Sequence, residues 1–87
     1  MNIVKVGNYR INLDLIAYVT ERISPYMQQR QDGTWTENSY ANDKDRQPGL
    51  VVDVTFCALS SEYEMYVRLY MDEAVQFLNS YDRVAGI

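Results

Sequence analysis

The side chains that could act on a substrate are one cysteine, Cys57, and 12 carboxylates, and the chain contains no histidine. Without histidine, the Ser-His and Cys-His pairs that activate a nucleophile cannot form, and the commonest zinc ligand is missing. Cys57 falls inside an apolar run, which is typical of a buried structural thiol rather than of a reactive one. We therefore predict that the protein is not an enzyme and has no catalytic, cofactor-binding or metal-binding residues.

The acidic residues have structural explanations. Residues 43–47 resemble the start of a calcium-binding loop, but Pro48 stands where that loop needs glycine and Val54 where it needs glutamate. Asp72 is placed to cap a helix, and Glu64 points outward from a strand. We interpret these carboxylates as capping and surface groups.

Tyrosine is unusually abundant, with eight residues against two phenylalanines. Tyr66, Arg68 and Tyr70 alternate along one run and share the outward face of a strand, and Tyr18 faces outward on another strand. If these strands are neighbours, an aromatic and arginine surface lies opposite the helix. A polar hairpin adds further residues of the types enriched in protein interfaces. The candidate interface residues are Tyr18, Tyr26, Met27, Arg30, Trp35, Tyr66, Arg68 and Tyr70.

Two simpler interpretations stay open for these residues. The tyrosines on the sheet could stabilise it through cross-strand pairs, each worth up to about 1 kcal/mol. The hairpin that carries Trp35 could fold back onto its own sheet instead of gripping a neighbour.

The elements that would position this surface lie in the second half of the chain. Residues 50–59 and 63–71 alternate with the two-residue period of strands, joined by a connection at residues 60–62 that is short enough for an antiparallel pair. At Asp72 the period becomes helical, and the helix is predicted to end near Asp82–Arg83. Its apolar stripe comprises Met71, Ala74, Val75, Leu78 and Tyr81, with Phe77 at the edge.

The first half of the chain predicts hairpins. Residues 3–6 and 9–11 flank a Gly7–Asn8 turn, and residues 12–14 break the pattern. Residues 15–23 fit either a strand or a helix capped by Asp14, and their β-branched and aromatic content favours the strand. Residues 24–49 form a polar insertion in which Asp32–Gly33 signals a hairpin that projects from the body. Residues 38–49 have nothing to bury.

Together these patterns predict a single α+β domain over residues 1–87. Its antiparallel β-meander has about five strands, and one C-terminal helix packs on the sheet. The net charge of -4 argues against nucleic acid and anionic membrane as partners. No signal peptide or membrane-spanning run is visible, and a lone cysteine suits a reducing compartment, so we expect a cytoplasmic protein.

Two blocks of the chain are similar to small uncharacterised bacterial proteins. One block is the strand-turn-strand of residues 11–19, and the other combines the Val-x-Val-x-Phe strand at residues 52–56 with the helix segment at residues 73–78. The resemblance implies a bacterial source and a helix that closes a small sheet. It implies no catalytic residue and no ligand.

The function predicted from these features is a self-associating interaction module that uses the tyrosine-bearing sheet face and the Trp35 hairpin. A short chain leaves much of its surface exposed, which favours an oligomer. The alternative is a monomeric small-ligand or regulatory binding domain with a pocket between sheet and helix.

Overall fold

The computed structural model describes residues 2–40, 44–57 and 65–86. These residues form an antiparallel α+β fold with one C-terminal helix, which confirms the predicted fold class. The elements are β1 (Ile3–Val6), β2 (Tyr9–Asn12), a 3-10 turn (Leu13–Leu15), β3 (Ile16–Gln29), β4 (Trp35–Glu37), β5 (Gln47–Phe56), β6 (Tyr66–Tyr70) and α1 (Met71–Ala85). The predicted connection at residues 60–62 and the strand residues predicted at 58–59 and 63–64 lie outside the described residues.

The strands form two sheets rather than one meander. Among the described strands, β1 and β2 form one sheet by pairing with each other, and the main sheet has the order β4-β3-β5-β6. β3 is 14 residues long, so its first part pairs with β5 while its end pairs with β4 on the other side. The last residues of β3 and the start of β5 fall inside the predicted polar insertion, which is therefore partly built into the sheet.

The β1–β2 hairpin packs against the start of α1. Gly7 lies in the turn with φ +56, and a Cβ on it would come within 2.8 Å of the Glu73 carboxylate, so glycine meets both needs of this turn. The break predicted after β2 is confirmed, because the Asn12 side chain accepts a hydrogen bond from the Asp14 backbone N–H at 3.0 Å. Residues 16–23 then form a strand, as predicted.

The core lies between the main sheet, the β1–β2 hairpin and α1. Val52 pairs with Leu69 and Val54 with Val67, and these four side chains share the face that α1 covers. Alternation turns the side chains of Val51, Asp53 and Thr55 to the opposite face. The buried cluster comprises Val6, Ile11, Leu13, Val52, Val54, Leu69, Ala74 and Phe77.

The start of the helix differs from the prediction. β6 runs into α1 without a loop: Tyr70 occupies the N-cap position with no side-chain hydrogen bond, and Met71 has φ 53. The predicted N-cap at Asp72 is therefore wrong, because Met71 makes the change of direction and Asp72 lies in the first turn. There its charge, like that of Glu73, suits the positive end of the helix dipole.

The end and the buried face of the helix also differ. The helix continues to Ala85, and Gly86, with φ 75, caps it by donating its N–H to the Asp82 carbonyl. Phe77 is fully buried, whereas Val75 is 48% exposed, so the buried stripe is rotated toward Phe77. The Phe77 and Tyr81 rings stack with centroids 5.6 Å apart.

Cys57 is exposed, so the predicted buried thiol is wrong. β5 ends at Phe56, and the Cys57 backbone N–H donates to the Leu15 carbonyl at 2.8 Å. By alternation Cys57 lies on the same face as Asp53 and Thr55, opposite α1. It also follows the last residue of β5, so its side chain is not enclosed by the core.

Within the described part of the chain, no helix combines the length and the apolar character needed to cross a membrane.

Candidate protein-protein interface

Three aligned rows of side chains cover the sheet surface opposite α1. The pairing of β5 with both β3 and β6 defines them: Tyr18–Thr55–Tyr66, Thr20–Asp53–Arg68 and Arg22–Val51–Tyr70. We call these nine residues the tyrosine face. β3 and β6 are not direct neighbours, which was the condition set in the sequence analysis, but they lie on either side of β5. The predicted aromatic and arginine surface is present, and it is three strands wide.

Two exposed tyrosines stand on either side of a buried threonine. Tyr18 is 47% exposed and Tyr66 is 55% exposed, whereas Thr55 between them is only 6% exposed. A shallow cavity of about 240 Å³ lies in this gap and is also lined by Thr20, Asp53 and Arg68. The face is therefore a shallow groove lined on both sides by tyrosine rings rather than a flat surface.

Arg68 is held in place on this face by a carboxylate and a ring. Its Nε donates to Asp53 Oδ1 at 2.7 Å, and its guanidinium carbon lies 5.4 Å from the Tyr66 ring centroid. The hydrogen bond with Asp53 raises the pKa of the Arg68 guanidinium above its ordinary value, with the Asp53 charge adding to it and burial opposing it. The charge of Arg68 is therefore balanced within its own chain.

Arg22 is balanced in the same way by β4. Its Nη1 and Nη2 donate to the two carboxylate oxygens of Glu37 at 2.8 and 2.6 Å. The pKa of Glu37 falls to about 2, chiefly because of the Arg22 hydrogen bonds; burial opposes this shift, and the buried Ser24 hydroxyl contributes to it. Both arginines of the tyrosine face thus carry a carboxylate partner, and the two pairs cancel in charge.

The predicted hairpin at Asp32–Gly33 is confirmed. The Arg30 N–H donates to the Thr34 carbonyl at 2.7 Å, and the Thr34 N–H and hydroxyl donate to Asp32 Oδ1 at 3.0 and 2.6 Å. These hydrogen bonds close the turn, so β4 returns beside the end of β3.

The hairpin brings Trp35 next to the tyrosine face. A cavity of about 210 Å³ is lined on one side by hairpin residues, including Trp35 and Gln29, and on the other by Tyr70, Asp72 and Glu73. Register shifts between Ser24 and Met27 interrupt the pairing of β3 with β5, and such bulges bend a strand. Trp35 is half-buried and extends the aromatic surface beyond Tyr70, which ends the third row.

The other predicted interface residues lie elsewhere. Met27 is fully buried, so its side chain belongs to the interior of this chain; a Cβ on Gly49 would come within 2.8 Å of its Cγ. Tyr26 is half-buried under the guanidinium of Arg46, 5.3 Å from the ring centroid. Arg30 is exposed at the hairpin turn. The structure therefore brings together Tyr18, Trp35, Tyr66, Arg68 and Tyr70.

Sequence reasoning missed the carboxylates that complete this surface. Alternation alone places Asp53 on the same face of β5 as Thr55, and Arg22 on the same face of β3 as Tyr18. The signal that was lacking is the strand register, which decides that Asp53 meets Arg68 and that Glu37 reaches Arg22.

Among residues 2–40, 44–57 and 65–86, no group of three histidine, cysteine or acidic side chains is arranged to hold a metal ion. No protein-family model, curated protein or solved structure matches the chain.

Proposed function

We propose that this protein is a non-enzymatic interaction module that associates with copies of itself through the tyrosine face and the Trp35 hairpin. The observation that carries the proposal is an aromatic surface whose charges are already paired. Tyr18 and Tyr66 are about half exposed, and both arginines of the face are bound to carboxylates of the same chain.

Paired charges make this face easier to bury than an ordinary surface. A charge that loses water without a partner costs several kcal/mol, roughly 3 to 5 when one member of a buried pair is missing. Arg22 and Arg68 bring their partners with them, so a second copy can cover the face without leaving either charge alone. Tyrosine and tryptophan rings then supply large contact areas at low conformational cost.

The size of the cavities favours a protein partner over a metabolite. The cavity in the tyrosine face measures about 240 Å³, the one beside Trp35 about 210 Å³, and a third at the foot of the hairpin about 280 Å³. Pockets for small ligands usually measure about 300–1,000 Å³. The space between sheet and helix is filled by Phe77, Val52 and Leu69, so the alternative of a ligand pocket there has less support.

A cytoplasmic location is part of the proposal. Cys57 is free and exposed, and such a thiol persists where the cell keeps cysteines reduced.

The test is the solution mass of the protein by light scattering over a wide concentration range, with Tyr66→Arg as the variant. We expect the wild type to form a dimer or a larger assembly. Tyr66→Arg should return the mass to the monomer value of 10.2 kDa, because it adds an unpaired charge beside Arg68. Circular dichroism and the thermal midpoint should stay close to wild type.

Tyr9→Arg is the matched control. Tyr9 is 45% exposed but lies on the β1–β2 hairpin, so the same change there should leave the mass unaltered. A wild type that stays monomeric at every concentration, or a Tyr66→Arg variant that still assembles, would refute the proposal.

Trp35→Ala tests the contribution of the hairpin. This substitution keeps the backbone pairing of β4 with β3, whereas a deletion of the hairpin would remove it. We expect the association to weaken by at least tenfold, since an interfacial tryptophan is often worth about 2 kcal/mol. Unchanged association would restrict the interface to the sheet.

A further inference from the structure

The outer edge of β6 presents backbone groups to which no strand of the described residues is paired. β6 is the last strand of the main sheet. The Phe56 N–H donates to the Met65 carbonyl at 2.9 Å, so these two residues form a hydrogen-bonded pair. In an antiparallel ladder such pairs alternate. Met65, Val67 and Leu69 therefore direct their backbone groups to β5, and Tyr66, Arg68 and Tyr70 direct theirs to the outer edge.

We infer that two copies of the chain join along this edge, β6 against β6, antiparallel about a two-fold axis at Val67. The inference rests on the proposed self-association and adds to it a contact at the edge of the tyrosine face, where Tyr66 and Arg68 lie. It joins the main sheets of the two copies into one continuous sheet.

The partner that best satisfies this edge is the edge of another β-strand. An exposed edge offers N–H donors and C=O acceptors in alternation, and another strand satisfies both at once. An antiparallel pairing of identical strands is symmetric and closes as a dimer, because each copy uses the same residues in the same way.

The charges on β6 select the register. A two-fold axis at Arg68 would place the two Arg68 side chains directly opposite each other, which is unfavourable for like charges. An axis at Val67 uses the same outward backbone groups but places Tyr66 of one copy opposite the partner's Arg68. Arg68 already lies 5.4 Å from the Tyr66 ring of its own chain, so in the dimer it would lie between two tyrosine rings.

The helix side of the edge is complementary in the same register. Met65 is 68% exposed and would pack beside the two Val67 side chains, which meet at the axis; the partner's Leu69 opposite it is already buried in its own chain. α1 packs against β5 and β1 as well as β6, so it extends from this edge toward the interior strands. Both faces of the junction therefore gain contacts, aromatic on one side and aliphatic on the other.

A symmetric disulfide tests the contact and its register together. In a Cys57→Ser background, Val67→Cys places two thiols at a non-hydrogen-bonded pair, where opposite Cα atoms are about 4.5 Å apart and within disulfide range. We expect mild oxidation with oxidised glutathione to convert this variant almost completely into a covalent dimer. The wild type, whose Cys57 is exposed, is the control for random collision and should stay uncrosslinked.

Arg68→Cys in the same background tests the competing register. With the axis at Val67, the two introduced thiols lie two residues out of register and too far apart to bridge. Efficient crosslinking of Arg68→Cys and none of Val67→Cys would overturn the register that we infer.

Arg68→Pro and Arg68→Ala form a second, matched pair that needs no oxidation. Both lose the arginine, but only proline also removes the outward N–H, and it does so without breaking the ladder to β5. Both variants leave Asp53 without the Arg68 partner and should associate more weakly than the wild type. We expect Arg68→Pro to need a higher protein concentration than Arg68→Ala to dimerise, with circular dichroism as the check on folding. Equal association of the two variants would contradict the inference.

The outcomes separate this inference from the proposed function. If the wild type assembles and Tyr66→Arg prevents it, but Val67→Cys does not crosslink and the Arg68 pair behaves alike, the edge contact is refuted and self-association stands. A wild type that is monomeric throughout refutes both.

Discussion

Glu37 connects the hairpin to the sheet through side chains as well as through backbone pairing. It accepts two hydrogen bonds from Arg22, and the buried Ser24 hydroxyl also helps to lower its pKa. Its backbone pairs with Met27 in β3. One carboxylate therefore helps to hold β4, and with it Trp35, beside the tyrosine face.

The depressed pKa of Glu37 predicts an acid-dependent loss of stability. The pKa falls from an ordinary value of 4.5 to about 2 in the folded chain, so the carboxylate stabilises the fold fully above pH 4.5. That contribution is lost as the pH falls from there toward 2. Because the Arg22 side chain is 43% exposed, solvent screening reduces the contribution to about 1 kcal/mol or less.

Glu37→Gln should reduce this dependence. The wild type should have a higher unfolding free energy than the variant at neutral pH, and this difference should be smaller at pH near 3. Urea denaturation at the two pH values measures it. Glu21→Gln, which removes an exposed carboxylate from β3, is the control and should keep the wild-type profile. An unaltered difference for Glu37→Gln would show that the pair does not stabilise the fold.

At the scale of elements, Gly49 marks the place where β5 passes beneath two methionines. A Cβ at this position would collide with Met71 Sδ and come within 2.8 Å of Met27 Cγ. Met27 is fully buried, so it has little room to move. The close approach joins the start of β5, the end of β3 and the start of α1.

Gly49→Ala should therefore destabilise the protein although it adds only one methyl group. We expect a loss of about 1–3 kcal/mol, the usual cost of overpacking, measured by thermal and urea unfolding. Pro48→Ala changes the exposed neighbour on the same strand and should cost less. A neutral Gly49→Ala would mean that the methionines rearrange freely.

The elements could be predicted from local patterns, and their ends could not. Alternation identified β5 and β6, and Gly7–Asn8 and Asp32–Gly33 identified the turns. β3 continues past Pro25 through Gln29 because a bulge accommodates the irregular segment and because β4 pairs with its end. Neither condition can be read from Gln28 and Gln29 themselves.

The site was predictable only in part, for a related reason. The outward direction of Tyr66, Arg68 and Tyr70 follows from the two-residue period of a strand. The contacts of Arg22 with Glu37, and of Trp35 with the cavity beside Tyr70, depend on register and strand bending between distant parts of the chain. Those are tertiary properties, so the aromatic residues were found and their paired charges were not.

At the scale of the whole molecule, the chain carries a net charge of -4, yet the charges on the tyrosine face are paired. Two copies therefore repel each other weakly at long range but meet through a neutral surface. Added salt screens the repulsion between the two net negative charges. It weakens the contact itself little, because the tyrosine face carries no unpaired charge that attracts the other copy.

This distribution predicts that association is unchanged or stronger at higher ionic strength. We expect the dimer dissociation constant to stay constant or decrease between about 50 mM and about 500 mM NaCl, measured by sedimentation equilibrium. Tyr9→Arg, which also changes the net charge by +1 but lies off the face, serves as the control for charge alone. A marked weakening with salt would indicate an interface held by ion pairs between copies.

Trp35 is the one tryptophan of the chain, and it is half-buried in a cavity that Tyr70 also lines. Its fluorescence emission therefore reports on a single place in the molecule. Excitation absorbed by nearby tyrosines should pass to its indole ring, so tyrosine-sensitised emission becomes an optical measure of whether the hairpin lies against the start of the helix.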